Sequence, residues 1–205
     1  MSAETPPPRR ALIVVDVQPT FCEGGELPVP GGEAVAQRVA EFAAAHRADY
    51  ALVATTQDWH IDPGGHFSDT PDYVDTWPPH GVAGSPNAEL HPALTGLNAD
   101  VTIKKGQHAA AYSGFEGHDA DGRGLADILR DAGVGAVDVV GLAESHCVAE
   151  TAIDAVAAGF SARVLGGLTA PVSPETGAAA RERMAAAGVE LTEAPTSKAA
   201  ATVME

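Results

Sequence analysis

Ala11-Leu12-Ile13-Val14-Val15-Asp16 is the stretch on which the fold class turns. Five apolar residues, three of them β-branched, run without a polar interruption and stop at an aspartate. A strand with one wet face would alternate apolar and polar residues. A short continuous apolar run instead suits a strand covered on both faces, as in a parallel sheet. Outward from this run the same rhythm continues. From Gly32 to about His46, Val35, Val39 and Phe42 recur at helical spacing. Ala51–Ala54 reads as a second strand and Val101–Ile103 as a short third one. Leu125, Ile128 and Leu129 mark a helix closed by Gly133, and Val137–Leu142 reads as a fourth strand. A helix from near Cys147 to Ala158 stops at Gly159, and Ala162–Leu165 reads as a fifth strand. Ser173-Pro174 supplies an N-cap and a first-turn proline for a helix ending at Gly188, and Val189–Leu191 is a last short strand. This alternation predicts an α/β protein, a three-layer α/β/α sandwich around a central, mostly parallel, doubly wound sheet.

The 205 residues suit one domain. The expected division is a flexible leader over 1–9, one folded domain over 10–192 and a tail over 193–205. Hydrophobic residues make up 45% and charged residues 20%, enough for a sizeable core. With 12 Lys+Arg against 28 Asp+Glu, the net charge is −16. That balance argues against a nucleic-acid partner and against docking on anionic membranes, both of which need clustered cations. No apolar run approaches the roughly 20 residues that cross a bilayer, and Met1–Pro8 has no signal-peptide core. Cys22 and Cys147 are too few and too far apart for a disulfide scaffold, so free thiols and a cytoplasmic setting are expected.

About 40 residues between Thr56 and Val101 show no clear regular element, yet they hold Trp59, Phe67, Tyr73 and Trp77. Long loops in compact domains are commonly functional, and this one is too aromatic for a disordered linker. It carries Asp58-Trp59-His60, His66 and His80, with His91 nearby as a decoy. A carboxylate with three imidazoles suits zinc, iron or manganese, and the spacing matches no zinc finger. Three further features lie where an open α/β sheet places its ligands, at the carboxyl ends of the strands. Asp16 is either a loop-start cap or a general base. Lys104-Lys105 is either a solvated pair or a source of fixed positive charge beside a cleft. Cys147, at a helix start, is either a buried core thiol or a nucleophile whose pKa the helix dipole lowers. Cys22, in a Gly/Glu-rich loop, reads as structural. Together a nucleophile, a base, a cation and a metal fit attack on a carbonyl.

Several stretches are similar to the isochorismatase-like cysteine hydrolases, and within them to the nicotinamidase/pyrazinamidase branch. They are Ala11–Gln18 with Phe21–Gly25, Asp58–Ser68, Trp77–His80, Lys105-Gly106 with Ala111–Gly117, and Gly141–Val148. The resemblance spans about Arg10 to Leu191. It implies a catalytic triad of Asp16, Lys105 and Cys147, and one divalent metal held by Asp58, His60, His66 and His80. It implies that Phe21 and Trp77 sandwich a pyridine ring and that Tyr112 walls the pocket. It places a cis bond at Leu142–Ala143, within the substrate-binding segment, and an oxyanion hole at the Ala143 and Cys147 amides. The activity implied is hydrolysis of nicotinamide, and of pyrazinamide, through a thioester, in salvage of pyridine nucleotides, by a monomer or homo-oligomer. The chain departs from the family where Glu144-Ser145 replaces a common Thr-Asp and Pro19-Thr20 a common Asn-Asp. Three other readings compete: a relative acting on isochorismate or a carbamoyl compound, a metallohydrolase with an incidental cysteine, and a non-catalytic binding protein of the same fold.

Overall fold

A computed structural model of the chain describes residues 7–195. Residues 1–6 of the expected leader and 196–205 of the expected tail lie outside the described residues. Six strands, β1 (Arg9–Val15), β2 (Leu52–Asp58), β3 (Val101–Lys105), β4 (Val134–Leu142), β5 (Ser161–Ala170) and β6 (Glu190–Glu193), form one sheet. Their order is β3-β2-β1-β4-β5-β6. Every neighbouring pair is parallel, so the sheet is more uniform than the mostly parallel one expected.

The apolar run of β1 supplies two cores. Ala11, Ile13 and Val15 point to one face, Leu12 and Val14 to the other, and all five are fully buried. On the first face lie three helices: α2 (Leu125–Asp131), α3 (Ala149–Ala157) and α4 (Pro174–Ala186). On the second lies α1 (Gly32–His46), through Val35, Val39 and Phe42, beside Leu94 of a short 3-10 turn. These are the three expected layers. Burying each Leu, Ile or Val stabilises the fold by about 1.5–3 kcal/mol.

The strands are longer than their apolar cores. β2 continues through Thr55-Thr56-Gln57 to Asp58, because polar residues at the strand end find partners in the site it borders. The interval after it contains three short 3-10 turns and otherwise irregular chain. Ser173 caps α4 as expected, its side chain accepting from the Thr176 amide.

Strand order reverses direction between β1 and β4, the two strands at the sheet's centre. Adjacent loops there leave in opposite directions and open a crevice at the carboxyl ends. Asp16 follows β1 and Cys147 follows β4, so the topology sets both at that crevice.

Candidate active site

Asp16, Lys105, Cys147 and Asp58 meet at the base of this crevice. Asp16 adopts φ +46°, a left-handed turn that swings its carboxylate off the strand axis. Thr56 donates to Asp16 Oδ1 at 2.6 Å, and Asp16 Oδ2 lies 2.9 Å from Lys105 Nζ. The same ammonium donates to Asp58 Oδ1 through a short hydrogen bond, to the Ala111 carbonyl at 3.2 Å and to Cys147 Sγ at 3.6 Å. Carboxylate oxygens of Asp16 and Asp58 and the Cys147 sulfur all lie within 4.8 Å of one another. Lys105 is 1% exposed and Asp16 is fully buried. The alternation of β3 decides between the two lysines: Lys105 points into the cluster, while Lys104 stacks over the Trp59 ring at 3.3 Å.

The electrostatics follow from burying one cation with two acids and a thiol. Burial opposes the charge on Lys105, but Asp16 and Asp58 outweigh it and hold its pKa well above the usual value. Burial also works against the Asp58 carboxylate. Lys105, with the His60 and His80 imidazoles close by, prevails and holds Asp58 well below its usual range. Asp16 is pushed up by burial, against the pull of Lys105. Cys147 is pushed well above the ordinary thiol value, again by burial first and against Lys105. The expectation of a thiol acidified by its helix is therefore corrected. Cys147 sits in a π-helical turn, Glu144–Val148, ahead of α3, and burial is the largest influence on its thiol.

His60, His66 and His80 offer ligand nitrogens within 4.8 Å of one another, all three buried. Asp58 turns its second oxygen toward them, 3.6 Å from His60 Nε2 and 3.7 Å from His80 Nε2. His60 Nδ1 is held by the Gly106 carbonyl at 2.6 Å and His80 Nδ1 by the Pro78 carbonyl at 2.8 Å. Those bonds aim each Nε2 at the shared centre. Among the described residues, His60 Nε2 and His66 Nδ1 are buried without a hydrogen-bond partner. Orphaned imidazole nitrogens beside a carboxylate fit a divalent cation. Gly106, at φ +71°, makes the close approach feasible, since a Cβ there would sit 2.4 Å from the His60 ring. His91 lies elsewhere, paired with Glu33 at 2.9 Å.

Above these groups opens a cavity of about 480 Å³. Phe21, Asp58, His66, Trp77, His80, Tyr112, Ala143 and Cys147 line it, and Trp77 Nε1 donates to the Tyr112 hydroxyl at 2.9 Å. Asp16, Lys105 and His60 are not lining residues and lie behind these groups. Leu142 does not line the cavity. Its side chain is fully buried in the core on the α1 side, so its place at the site is through the backbone. The Leu142–Ala143 peptide is cis, as the resemblance implies.

The family model for the isochorismatase domain matches residues 10–196. The chain belongs to the isochorismatase-domain family. It is 53% identical over 182 residues to the nicotinamidase/pyrazinamidase of Mycobacterium tuberculosis, covering 89% of this chain and 97% of that protein. Among solved structures, the pyrazinamidase of Pyrococcus horikoshii in complex with zinc superposes with a TM-score of 0.78 at 35% identity, over 91% of this chain and 100% of that one. A protein of L. infantum in complex with nicotinate gives a TM-score of 0.78 at 35% identity, over 90% of this chain and 92% of that one.

Within this isochorismatase-domain site, sequence reasoning passed over several residues. Thr56 holds Asp16 through both its hydroxyl and its carbonyl. Gln18 bonds the Asp58 amide and carbonyl, locking β2 to the loop after β1. His146 lines the cavity with its ring 5.6 Å from Trp77. The signal for each was adjacency to a residue already singled out. Both departures from the family pattern carry bonds of their own. Glu144 accepts from Thr169 at 2.7 Å and pairs with Arg181 at 2.6 Å, and Ser145 Oγ contacts His146 Nδ1 at 2.9 Å. Thr20 Oγ1 accepts from the Gly81 amide at 3.1 Å, beside His80.

Proposed function

We propose that this isochorismatase-domain protein is a nicotinamidase, a cysteine amidohydrolase that converts nicotinamide to nicotinate and ammonia and also hydrolyses pyrazinamide. The observation that carries this reading is the buried Asp16–Lys105–Cys147 cluster, which reaches an aromatic cavity through Cys147 beside the His66 and His80 imidazoles on the wall. The 53% identity to a nicotinamidase/pyrazinamidase supports the choice of substrate.

In this reading Phe21 and Trp77 face the two sides of a planar heteroaromatic ring, and Tyr112 closes the wall. His60, His66, His80 and Asp58 would hold one divalent ion (zinc, iron or manganese), which when bound offers an electrophilic site to the ring nitrogen and so orients the carboxamide. Asp16 is the base. Its raised pKa narrows the gap to the thiol, so proton transfer from Cys147 is less uphill than to an ordinary aspartate. The Cys147 sulfur attacks the carboxamide carbon as its proton passes to Asp16. Lys105, at 3.6 Å, offsets the charge on the sulfur. The amides of Ala143 and Cys147 receive the developing oxyanion. Asp16 returns the proton to the departing nitrogen, the carbon–nitrogen bond breaks, and ammonia leaves a thioester. Water then attacks with Asp16 as base, Asp16 passes that proton to the departing Cys147 sulfur, and the carboxylic acid product loses its remaining proton to solvent and departs as the carboxylate.

The cavity contains no lysine or arginine among its lining residues, which disfavours an anionic substrate such as isochorismate. A cytoplasmic site of action goes with the unpaired thiols, and among the described residues no helix is long and apolar enough to cross a membrane. The test is ammonia release from nicotinamide by wild type and Cys147→Ala, with metal content measured on both. The variant is expected to lose more than roughly a thousandfold in kcat/KM while keeping its metal. Equal turnover in both would transfer the nucleophile's role away from Cys147, and no turnover in either would end the nicotinamidase reading.

A further inference from the structure

Cys22 and His91 take no part in the site above, and the fold brings the two together. Cys22 follows the cavity-wall residue Phe21. The His91 amide donates to the Val17 carbonyl at 2.8 Å, which pins the chain of His91 against the loop after β1. Glu33 reaches in from the first turn of α1. The Cys22 sulfur, a nitrogen of His91 and a carboxylate oxygen of Glu33 lie within 4.8 Å of one another. Cys22 is 2% exposed and His91 8%, so two of the three groups are inside the protein. A second carboxylate, Glu23, is fixed nearby by accepting from the Gly31 and Glu33 amides. The charges acting on the Cys22 thiol, from Glu33 and Glu23, are both negative. The cluster therefore holds soft, borderline and hard donors in a negative field.

We propose that Cys22, His91 and Glu33 form a second divalent-cation site, sharing no residue with the His60–His66–His80 cluster and selective for a zinc-class ion. One thiolate, one imidazole and one carboxylate make a donor set that zinc takes, with water in the fourth position. The balance is simple. The Cys22 S–H bond breaks and its proton goes to solvent, while sulfur, imidazole nitrogen and carboxylate oxygen each form a bond to the cation. His91 Nε2 now donates to Glu33 at 2.9 Å, and its Nδ1 accepts from the Ala93 amide at 3.2 Å. Ligation through Nε2 moves the ring proton to Nδ1 and gives up that long bond. Occupation would tie the segment bearing Phe21 to the segment bearing His91 and to α1.

Cobalt chloride alone, titrated into metal-free protein, tests this. Thiolate bound to cobalt gives a near-ultraviolet charge-transfer band, and the His60–His66–His80 cluster with Asp58 has no thiolate to produce one. Two equivalents are expected to bind, with the band present in wild type and in Cys147→Ala and absent in Cys22→Ser. Glu33→Gln, an exposed position that leaves the core intact, should weaken the band-forming equivalent tenfold or more. Loss of one proton per cation predicts that its affinity rises about tenfold per pH unit near neutrality. The proposal is overturned if no band forms, if the band survives Cys22→Ser, or if it disappears in Cys147→Ala. Binding weaker than about 1 mM would mark an adventitious ion and overturn it too.

Discussion

Gly106→Ala perturbs the candidate metal site from outside its ligand set. Gly106 has φ +71°, and an alanine in the left-handed region costs about 1–2 kcal/mol in backbone strain. The larger effect is steric. The new Cβ would lie 2.4 Å from His60 Cε1 and 2.7 Å from Nδ1, where ordinary contact begins at 3.4 Å. The ring must retreat by about 1 Å, the difference between 3.4 and 2.4 Å. That movement breaks the 2.6 Å bond between His60 Nδ1 and the Gly106 carbonyl, which aims Nε2. Losing such an orienting partner weakens metal affinity about 10- to 100-fold, or roughly 1.4–2.7 kcal/mol. The assay is zinc affinity by chelator competition, with circular dichroism to check the fold. Gly122→Ala is the control, since it has φ +81° but nothing within 4 Å of the added methyl. It carries the strain without the collision and should keep wild-type affinity. Affinity within twofold of wild type in Gly106→Ala would refute the reasoning, as would an equal loss in Gly122→Ala.

Three further outcomes are expected. Thr56→Val removes the 2.6 Å hydrogen bond that favours ionised Asp16, so kcat/KM at neutral pH should fall roughly tenfold and its acid limb should move to higher pH. An unmoved limb would remove Thr56 from the positioning of the base. His66 is pushed down to about 4, first by burial and then by His60 and His80, against an ordinary value of 6.5. In that interval the unfolded chain binds a proton that the fold excludes, so metal-free protein should lose stability as pH falls from about 6.5 toward 4. Urea midpoints at the two ends check this, and His66→Asn should flatten the dependence. Asp138 is fully buried in β4, paired with Arg10 at 2.6 Å and Arg163 at 2.6 Å, with the Tyr50 hydroxyl at 2.7 Å. Asp138→Ala strands those partners and should cost about 3–5 kcal/mol in urea unfolding. A loss under 1 kcal/mol would show that the arginines simply turn to solvent.

Much of this molecule was legible in the residues alone because its signals are local. A continuous apolar run names a buried strand, and helical spacing names a covered face. Strands of this kind alternating with helices along most of the chain leave the α/β/α sandwich as the natural solution. The candidate metal ligands and the cysteine were readable because three imidazoles crowd one loop beside a strand-end carboxylate and thiols are rare in this chain. Polar strand ends were not readable. Thr55, Thr56 and Gln57 look like loop, and only the partners across the crevice make them strand.

The sequence by itself determined which side chains were available and which strand ends would carry them. Tertiary structure alone decided what those side chains are chemically. Lys104 and Lys105 are equivalent as text, but the pleat buries one between two carboxylates and lays the other on Trp59. Cys147 looked like an acidified thiol from its place before a helix, yet burial raises its pKa against the pull of Lys105, which only the fold brings beside it. Cys22 and His91 are 69 positions apart and read as unrelated, and the packing of α1 against two loops sets them beside Glu33. Pattern along the chain reports which faces are buried. The charge a group carries depends on what lies within a few ångströms of it, and that is settled only when distant segments meet.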